Sequence, residues 1–77
     1  KINYKITEQI GESNMRIILV DSTGENTKEI GYTSHYPIPR VGEQVNCGYN
    51  PAPFVKSVVY DYEKEIVFVQ IKGFIFP

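Results

Sequence analysis

Two apolar segments near the end of the chain, separated by a short charged turn, constrain the fold more than any other feature. Residues 54–62 and 66–71 are rich in valine, isoleucine and aromatic residues, and apolar and polar positions alternate along both. This period of two, with a turn at Asp61–Glu65, predicts a β-hairpin. Strict alternation places Val55 and Val59 on the same face. Because both segments carry apolar side chains on both faces, we expect the hairpin to be central or covered on two sides.

Shorter segments upstream also have the pattern of strands. Residues 15–20 and 28–32 flank a polar turn that contains Gly24, and together they predict a second hairpin. A further short strand is expected at Glu43–Cys47. Five or six short strands with little helix indicate an all-β fold, either a small SH3-like barrel or a strongly bent antiparallel sheet.

The start of the chain has a weaker pattern. Apolar residues at positions 2, 4 and 6 alternate with polar ones, which favours a strand, although positions 2, 6 and 10 also fit a short helical stripe. We prefer the strand. A chain of 77 residues is typical of one domain, so we interpret 1–77 as a single β domain, with 15–77 as the barrel core and 1–14 as an added strand or arm.

The middle of the chain is dominated by residues that form turns. Pro37 and Pro39 fix their own φ angles and push the preceding residues toward extended conformations. Gly42 then allows a sharp change of direction. We interpret Pro39–Glu43 as an architectural corner that sets Val45 and Cys47 into the sheet.

Length and cysteine content limit how the fold can be stabilised. A chain of 77 residues buries only about 60% of its unfolded surface, and its single cysteine, Cys47, cannot form an internal disulfide. A structural zinc site is not expected, because Cys47 and His35 cannot supply four nitrogen or sulfur ligands. Small domains without such crosslinks often associate, so we expect a homodimer or a higher oligomer.

Charge and hydropathy narrow the classes of partner. The net charge is −1 and the charges are mixed in sign, whereas nucleic-acid binding favours a clustered basic face. No segment approaches the roughly 20 apolar residues that cross a bilayer, so a membrane partner is not expected. A lone cysteine fits a reducing compartment and predicts a cytoplasmic protein. The sequence contains no cofactor or catalytic motif, and we expect neither a cofactor nor an enzyme activity.

One turn motif and the segments around it carry a resemblance. Residues 39–43 have the sequence Pro-Arg-Val-Gly-Glu, with matching segments at 15–20, Ile30–Gly31, 58–62 and 66–69. From the first of these onward, the chain resembles a loose group of very short, largely uncharacterised phage and bacterial proteins. Their pattern is an apolar first strand after the initiator methionine, a glycine-containing turn, this Pro-Arg-Val-Gly-Glu turn and a hairpin rich in valine and isoleucine. The resemblance covers roughly three quarters of the chain. It implies an SH3-like small β-barrel without an assigned activity.

Arg40 is the one member of the turn motif that we consider a candidate binding residue. Its forked guanidinium could contact a carboxylate or another anion. The alternative is a structural role, either a bridge to Glu43 or Glu29 or packing of its stem over an aromatic ring. We favour the structural role but keep Arg40 as a residue to mutate for function.

Two tyrosines on proline-framed loops, Tyr36 and Tyr49, are further candidates. Such rings can grip a peptide in polyproline conformation or stack on a nucleobase. They fit contact with a ligand or partner and packing equally well, whereas Tyr60, inside the hairpin, fits packing best.

The apolar end of the chain also leaves two interpretations open. Phe74, Ile75 and Phe76 either complete the core or form a patch that pairs subunits. For the acidic cluster around the hairpin turn, Asp61, Glu63 and Glu65, we favour a solvated turn over a cation site. Lys64 interrupts the cluster, and no calcium-loop spacing is present.

His35 and Cys47 could in principle act as a base and a nucleophile. Neither an oxyanion motif nor an orienting acid accompanies them, so we favour a surface histidine and a buried structural cysteine.

These observations favour a non-enzymatic protein-interaction module. Since phage proteins of this size often inhibit host systems, the resemblance implies an inhibitor of a host defence protein. The alternatives are a small-ligand binder that holds a nucleotide as an oligomer, through Arg16, Arg40 and a loop tyrosine, and a barrel that binds single-stranded nucleic acid. The surface that we predict to bind a partner consists of Tyr36, Arg40, Tyr49, Phe74 and Phe76.

Overall fold

A computed structural model describes residues 14–77 of the chain. Within that range it contains four strands and no helix, so the prediction of an all-β fold is confirmed. The strand predicted at residues 2–7 lies outside the described residues. The four strands, in chain order, are β1 (Arg16–Val20), β2 (Thr27–Tyr32), β3 (Val55–Asp61) and β4 (Ile66–Ile71).

The strands form one open, mixed sheet with the order β2-β1-β4-β3. β1 and β2 form one antiparallel hairpin and β3 and β4 the other, and both hairpins are as predicted. The two hairpins meet through β1 and β4, which run parallel. The expectation of an antiparallel sheet is therefore wrong at its centre. Turn residues specify each hairpin locally, but no local signal specifies which strands of two hairpins become neighbours.

The strand predicted at Glu43–Cys47 is not formed. A single bridge between Gln44 and Phe54 is all that remains of it. The side chain of Asn46 accepts a hydrogen bond from the Gly48 amide at 3.3 Å, which favours a local turn. The described residues therefore contain four of the five strands expected within them, because the segment at Glu43–Cys47 turns instead of extending.

The core lies on one face of the sheet, which we call the inner face. Ile17 and Leu19 of β1 and Val67, Val69 and Ile71 of β4 are fully buried there. Each such side chain contributes about 1.5–3 kcal/mol by leaving water. The connector 33–54 and the tail 72–77 cover this face, with half-buried side chains from both packed against it: Ile38, Val45, Cys47, Tyr49 and Phe74.

A register shift in β3 changes which of its side chains reach the core. The pairing of β3 with β4 is irregular between Val55 and Ser57. Val55 pairs with Ile71 and is buried, whereas Val59 pairs with Phe68 on the opposite, outer face and is 56% exposed. The prediction that Val55 and Val59 share a face is therefore wrong, because a bulge at Lys56 interrupts the alternation.

Candidate functional site

A groove of ≈ 790 Å³ lies between β2 and the connector, and we call it the β2 groove. Its apolar lining comes from three parts of the chain: β1 contributes Ile17, β2 contributes Ile30, and the connector contributes Ile38, Val45 and Cys47. These are the side chains that the connector packs against the sheet. The groove therefore lies beside the core, between β2 and the part of the connector that packs against the sheet.

Tyr36 lines the groove, where its ring packs against Gly31 of β2. A Cβ atom added to Gly31 would lie only 2.8 Å from Cε2 of Tyr36, so the ring needs a residue without a side chain beneath it. The Tyr36 amide donates to the Tyr32 carbonyl at 3.1 Å, which fixes the start of the connector. The ring itself is 51% exposed. Tyr36 therefore packs against β2 and is also accessible to a ligand.

Arg40 lines the same groove from a tight turn. The Arg40 amide donates to Oε1 of Glu43 at 2.8 Å, and the Glu43 amide donates to the Arg40 carbonyl at 3.0 Å. The guanidinium reaches Oε2 of Glu43 only at 3.5 Å and its side chain is 85% exposed. The turn is structural, as the sequence suggested, but an exposed ion pair of this kind is worth less than about 1 kcal/mol, which leaves most of the guanidinium available to a ligand.

Lys28 ties β2 to the far part of the connector. Its Nζ donates to the Cys47 carbonyl at 2.9 Å and lies 5.4 Å from the centre of the Tyr49 ring. Both contacts satisfy the ammonium group, one as a hydrogen bond and one as a cation–π contact. Lys28 therefore ties the connector to β2 at one wall of the groove.

The other three predicted site residues come together in a different place. The ring of Tyr49 lies 4.2 Å from that of Phe74 and 6.1 Å from that of Phe76, centre to centre. Phe76 is only 7% exposed, whereas the intervening Ile75 is 59% exposed. Phe76 thus serves the core, and the structure groups the five predicted residues as a groove pair, Tyr36 and Arg40, and a packed aromatic cluster, Tyr49, Phe74 and Phe76.

Asp21 is a buried charged residue that sequence reasoning treated only as part of a turn. Its Oδ1 accepts from the Thr23 hydroxyl at 2.6 Å and from the Gly24 amide at 3.1 Å. Its Oδ2 accepts from the Asn26 side chain at 2.7 Å and from the Phe76 amide at 3.1 Å. An aspartate two residues before a threonine indicates a local turn, but nothing local indicates the bond to the tail.

The electrostatics of Asp21 follow from these bonds. Burial acts to raise the pKa of the carboxyl, but hydrogen bonds from Thr23, Asn26 and the Phe76 amide outweigh it and hold the pKa well below its usual range. Asp21 is therefore a charged anchor that joins the β1–β2 turn to the tail, and it does not line the groove.

The residues considered for chemistry are not brought together. His35 is exposed and its ring nitrogen pairs with the Ser34 hydroxyl at 3.0 Å. Cys47 is half-buried in the groove lining, and within residues 14–77 no hydrogen bond joins it to His35. In the same range, no group of three or more histidine, cysteine and acidic side chains is placed to hold a metal ion. The described chain also lacks any helix of the length and apolarity needed to cross a membrane.

Comparison of the chain with protein-family models, with curated protein sequences and with solved structures finds no match. The geometry of the β2 groove is consequently the basis on which a function can be inferred.

Proposed function

We propose that the chain is a non-enzymatic protein-interaction module that binds an extended segment of a partner protein in the β2 groove. The observation that carries the proposal is the position of the groove along an edge strand. In the described part of the chain, β2 pairs with β1 on one side only, and its other side, from Lys28 to Ile30, lines the groove. Within residues 14–77, no backbone hydrogen bond is made to that side of these residues.

An extended peptide can add to such an edge through main-chain hydrogen bonds, while alternate side chains enter pockets. Here the pocket is lined by Ile30, Ile38 and Val45, which suits an aliphatic side chain. Arg40, with its largely exposed guanidinium, suits a carboxylate on a neighbouring position of the same peptide. The expected partner segment is therefore extended, with an aliphatic residue close to an acidic one. The resemblance to short phage proteins makes a host protein the first partner to test.

The proposal can be tested with peptides selected from a random display library on the natural chain. Enriched peptides should combine aliphatic and acidic residues and, in an NMR titration, should shift the amides of 28–31 and 36–47. Arg40→Ala should raise Kd about tenfold by removing the charge-assisted contact. Lys64→Ala, which removes an exposed cation from the turn between β3 and β4, is the matched control and should leave Kd unchanged. Enrichment of no peptide, or shifts confined to β3, would contradict the proposal.

The groove also supports a second candidate, a nucleotide binder. Tyr36 and Arg40 line the same groove, so a ring and a guanidinium are available to a base and a phosphate. Arg16, the other arginine considered for this role, is instead bonded to Glu29 across β1 and β2. Calorimetry against a panel of nucleotides decides between the candidates. Heat that is lost in both Tyr36→Ala and Arg40→Ala would favour the nucleotide, and absence of heat for every member would remove it.

A further inference from the structure

Among residues 14–77, no strand pairs with the opposite edge of the sheet, formed by β3, for most of its length. At its start β3 is bordered by the connector, where the Val55 amide donates to the Glu43 carbonyl at 2.8 Å. From Ser57 to Asp61, no backbone hydrogen bond in the described part of the chain is made on the side away from β4. Unpaired backbone groups in a row form a template for another strand.

This stretch also carries exposed apolar side chains. Val59 points to the outer face and Tyr60 to the inner face, and Tyr62, 73% exposed, follows in the turn. The rings of Tyr60 and Tyr62 stack with their centres 5.9 Å apart. Proteins usually protect an edge of this kind with lysine, proline or a covering loop. Lys56, in the bulge, is the one lysine of β3, and it lies before the open stretch begins.

The charges along the β3 edge would be complementary between two copies of the strand that run antiparallel to each other. Lys56 stands near the start of β3, Asp61 ends the strand, and Glu63 follows in the turn. Neither Lys56 nor Glu63 has an ion-pair partner among residues 14–77. An antiparallel pairing of two identical strands centred on Val59 would place Lys56 of each copy opposite Tyr62 of the other, between the acidic residues Asp61 and Glu63.

We propose that two copies of the chain associate through β3, antiparallel across a two-fold axis, and so join their sheets into one. The surface is isologous, which is the commonest form of soluble homo-oligomer. The open backbone supplies hydrogen bonds, Val59 and Tyr60 supply apolar contact, and the reversed charges fix the direction of pairing. We assign the partner strand to a second copy of the chain, because antiparallel pairing brings the basic end of each β3 to the acidic end of the other. The β2 groove stays free in this dimer, so both surfaces can act at once.

A charge exchange tests the pairing on the full chain. Lys56→Glu opposes acidic groups at both ends of the interface, and Glu63→Lys opposes basic groups, so each should raise the dimer Kd about tenfold. An equimolar mixture of the two variants should restore the dimer mass by light scattering, because unlike charges meet again at both ends. Glu25→Lys, in the turn between β1 and β2, makes the same charge change as Glu63→Lys and should leave the mass unchanged. A monomeric natural chain, or a mixture that stays dissociated, would overturn the proposal.

Cysteine crosslinking tests the location independently. Val59→Cys in a Cys47→Ser background should form an intermolecular disulfide on mild oxidation, because Cα atoms opposite each other in an antiparallel pair lie within disulfide range. Ile75→Cys in the same background is a matched control, since Ile75 and Val59 are 59% and 56% exposed. Preferential crosslinking of Ile75→Cys would show that the tail pairs the subunits and would overturn the assignment to β3.

Discussion

The two edges of the sheet differ in what borders them. The β2 edge faces the connector, which is held to it by Tyr36 on Gly31 and by Lys28 on the Cys47 carbonyl. The β3 edge beyond Ser57 has no such border among the described residues and presents Val59 and Tyr60 to solvent. A strand edge beside a side-chain pocket can discriminate between peptides by their side chains, whereas an edge without a pocket offers only backbone hydrogen bonds to any matching strand. One small sheet thus offers two kinds of surface.

Both edges belong to the same four-stranded sheet, and Asp21 joins the β1–β2 turn of that sheet to the tail. Substitution of Asp21 should therefore have the largest effect on the stability of the whole sheet. Asp21→Ala removes the acceptor for the Phe76 amide and the Asn26 side chain, and it leaves the buried Phe76 amide without a partner. We expect the Tm to fall by roughly 10 °C or more, which circular dichroism would measure. Glu25→Ala, in the same turn and exposed, is the control. Peptide binding at β2 and dimerisation at β3 should weaken together in Asp21→Ala; loss of only one would show that the edges do not share this anchor.

The same residue predicts how stability depends on pH. Because the hydrogen bonds to Asp21 outweigh burial and lower the pKa of its carboxyl in the folded state, the unfolded chain takes up the proton first as the pH falls. The stabilisation is fully present above the ordinary aspartate pKa of about 4 and is lost progressively below it. The Tm of the natural chain should therefore decline on acidification below that point. Asp21→Asn should have a lower Tm at neutral pH and a shallower decline; an unchanged decline would assign it to other carboxylates.

The contact between Gly31 and Tyr36 tests the border of the β2 edge alone. Gly31→Ala forces a methyl group against the Tyr36 ring. This overpacking should lower the free energy of unfolding by about 1–3 kcal/mol. Denaturant unfolding should show this loss, and peptide binding should weaken because the ring leaves its place in the groove lining. The dimer at β3 should be unaffected.

A double variant separates the steric cause from a general effect on β2. In the Tyr36→Ala background the methyl group meets no ring, so Gly31→Ala should cost much less than it does in the natural chain. Equal costs in the two backgrounds would show that the backbone of β2, and not the ring, requires glycine.

Local sequence signals predicted both hairpins but not how they combine. Alternation and turn residues identified β1, β2, β3 and β4 to within a residue or so. The parallel contact between β1 and β4 depends on long-range packing, which no periodicity encodes. The prediction that Val55 and Val59 share a face is wrong because no distinctive residue marks the bulge at Lys56.

The candidate site is also only partly predictable, because local patterns indicate single residues but not the long-range contacts between them. The sequence predicts Tyr36 as a ring on a proline-framed loop and Arg40 as the guanidinium of the Pro39–Glu43 turn, and the fold places both in one groove. Gly31 was not recognised as the support for Tyr36, and Asp21 was not recognised as the anchor of the tail. Both roles depend on contacts with residues distant along the chain, which a single sequence does not reveal.

The smallest effect on stability is expected for the ion pair between Arg16 of β1 and Glu29 of β2. Nε of Arg16 lies 3.2 Å from Oε2 of Glu29 across β1 and β2, with both side chains about half exposed. In a double-mutant cycle with alanine at both positions, solvent screening should limit the coupling energy to about 0.2–1 kcal/mol, falling as salt is added. A coupling above about 2 kcal/mol would mean that surface charge, not the connector, secures the β2 edge. The expected small value would leave Tyr36 and Lys28 as the contacts that distinguish this edge from β3.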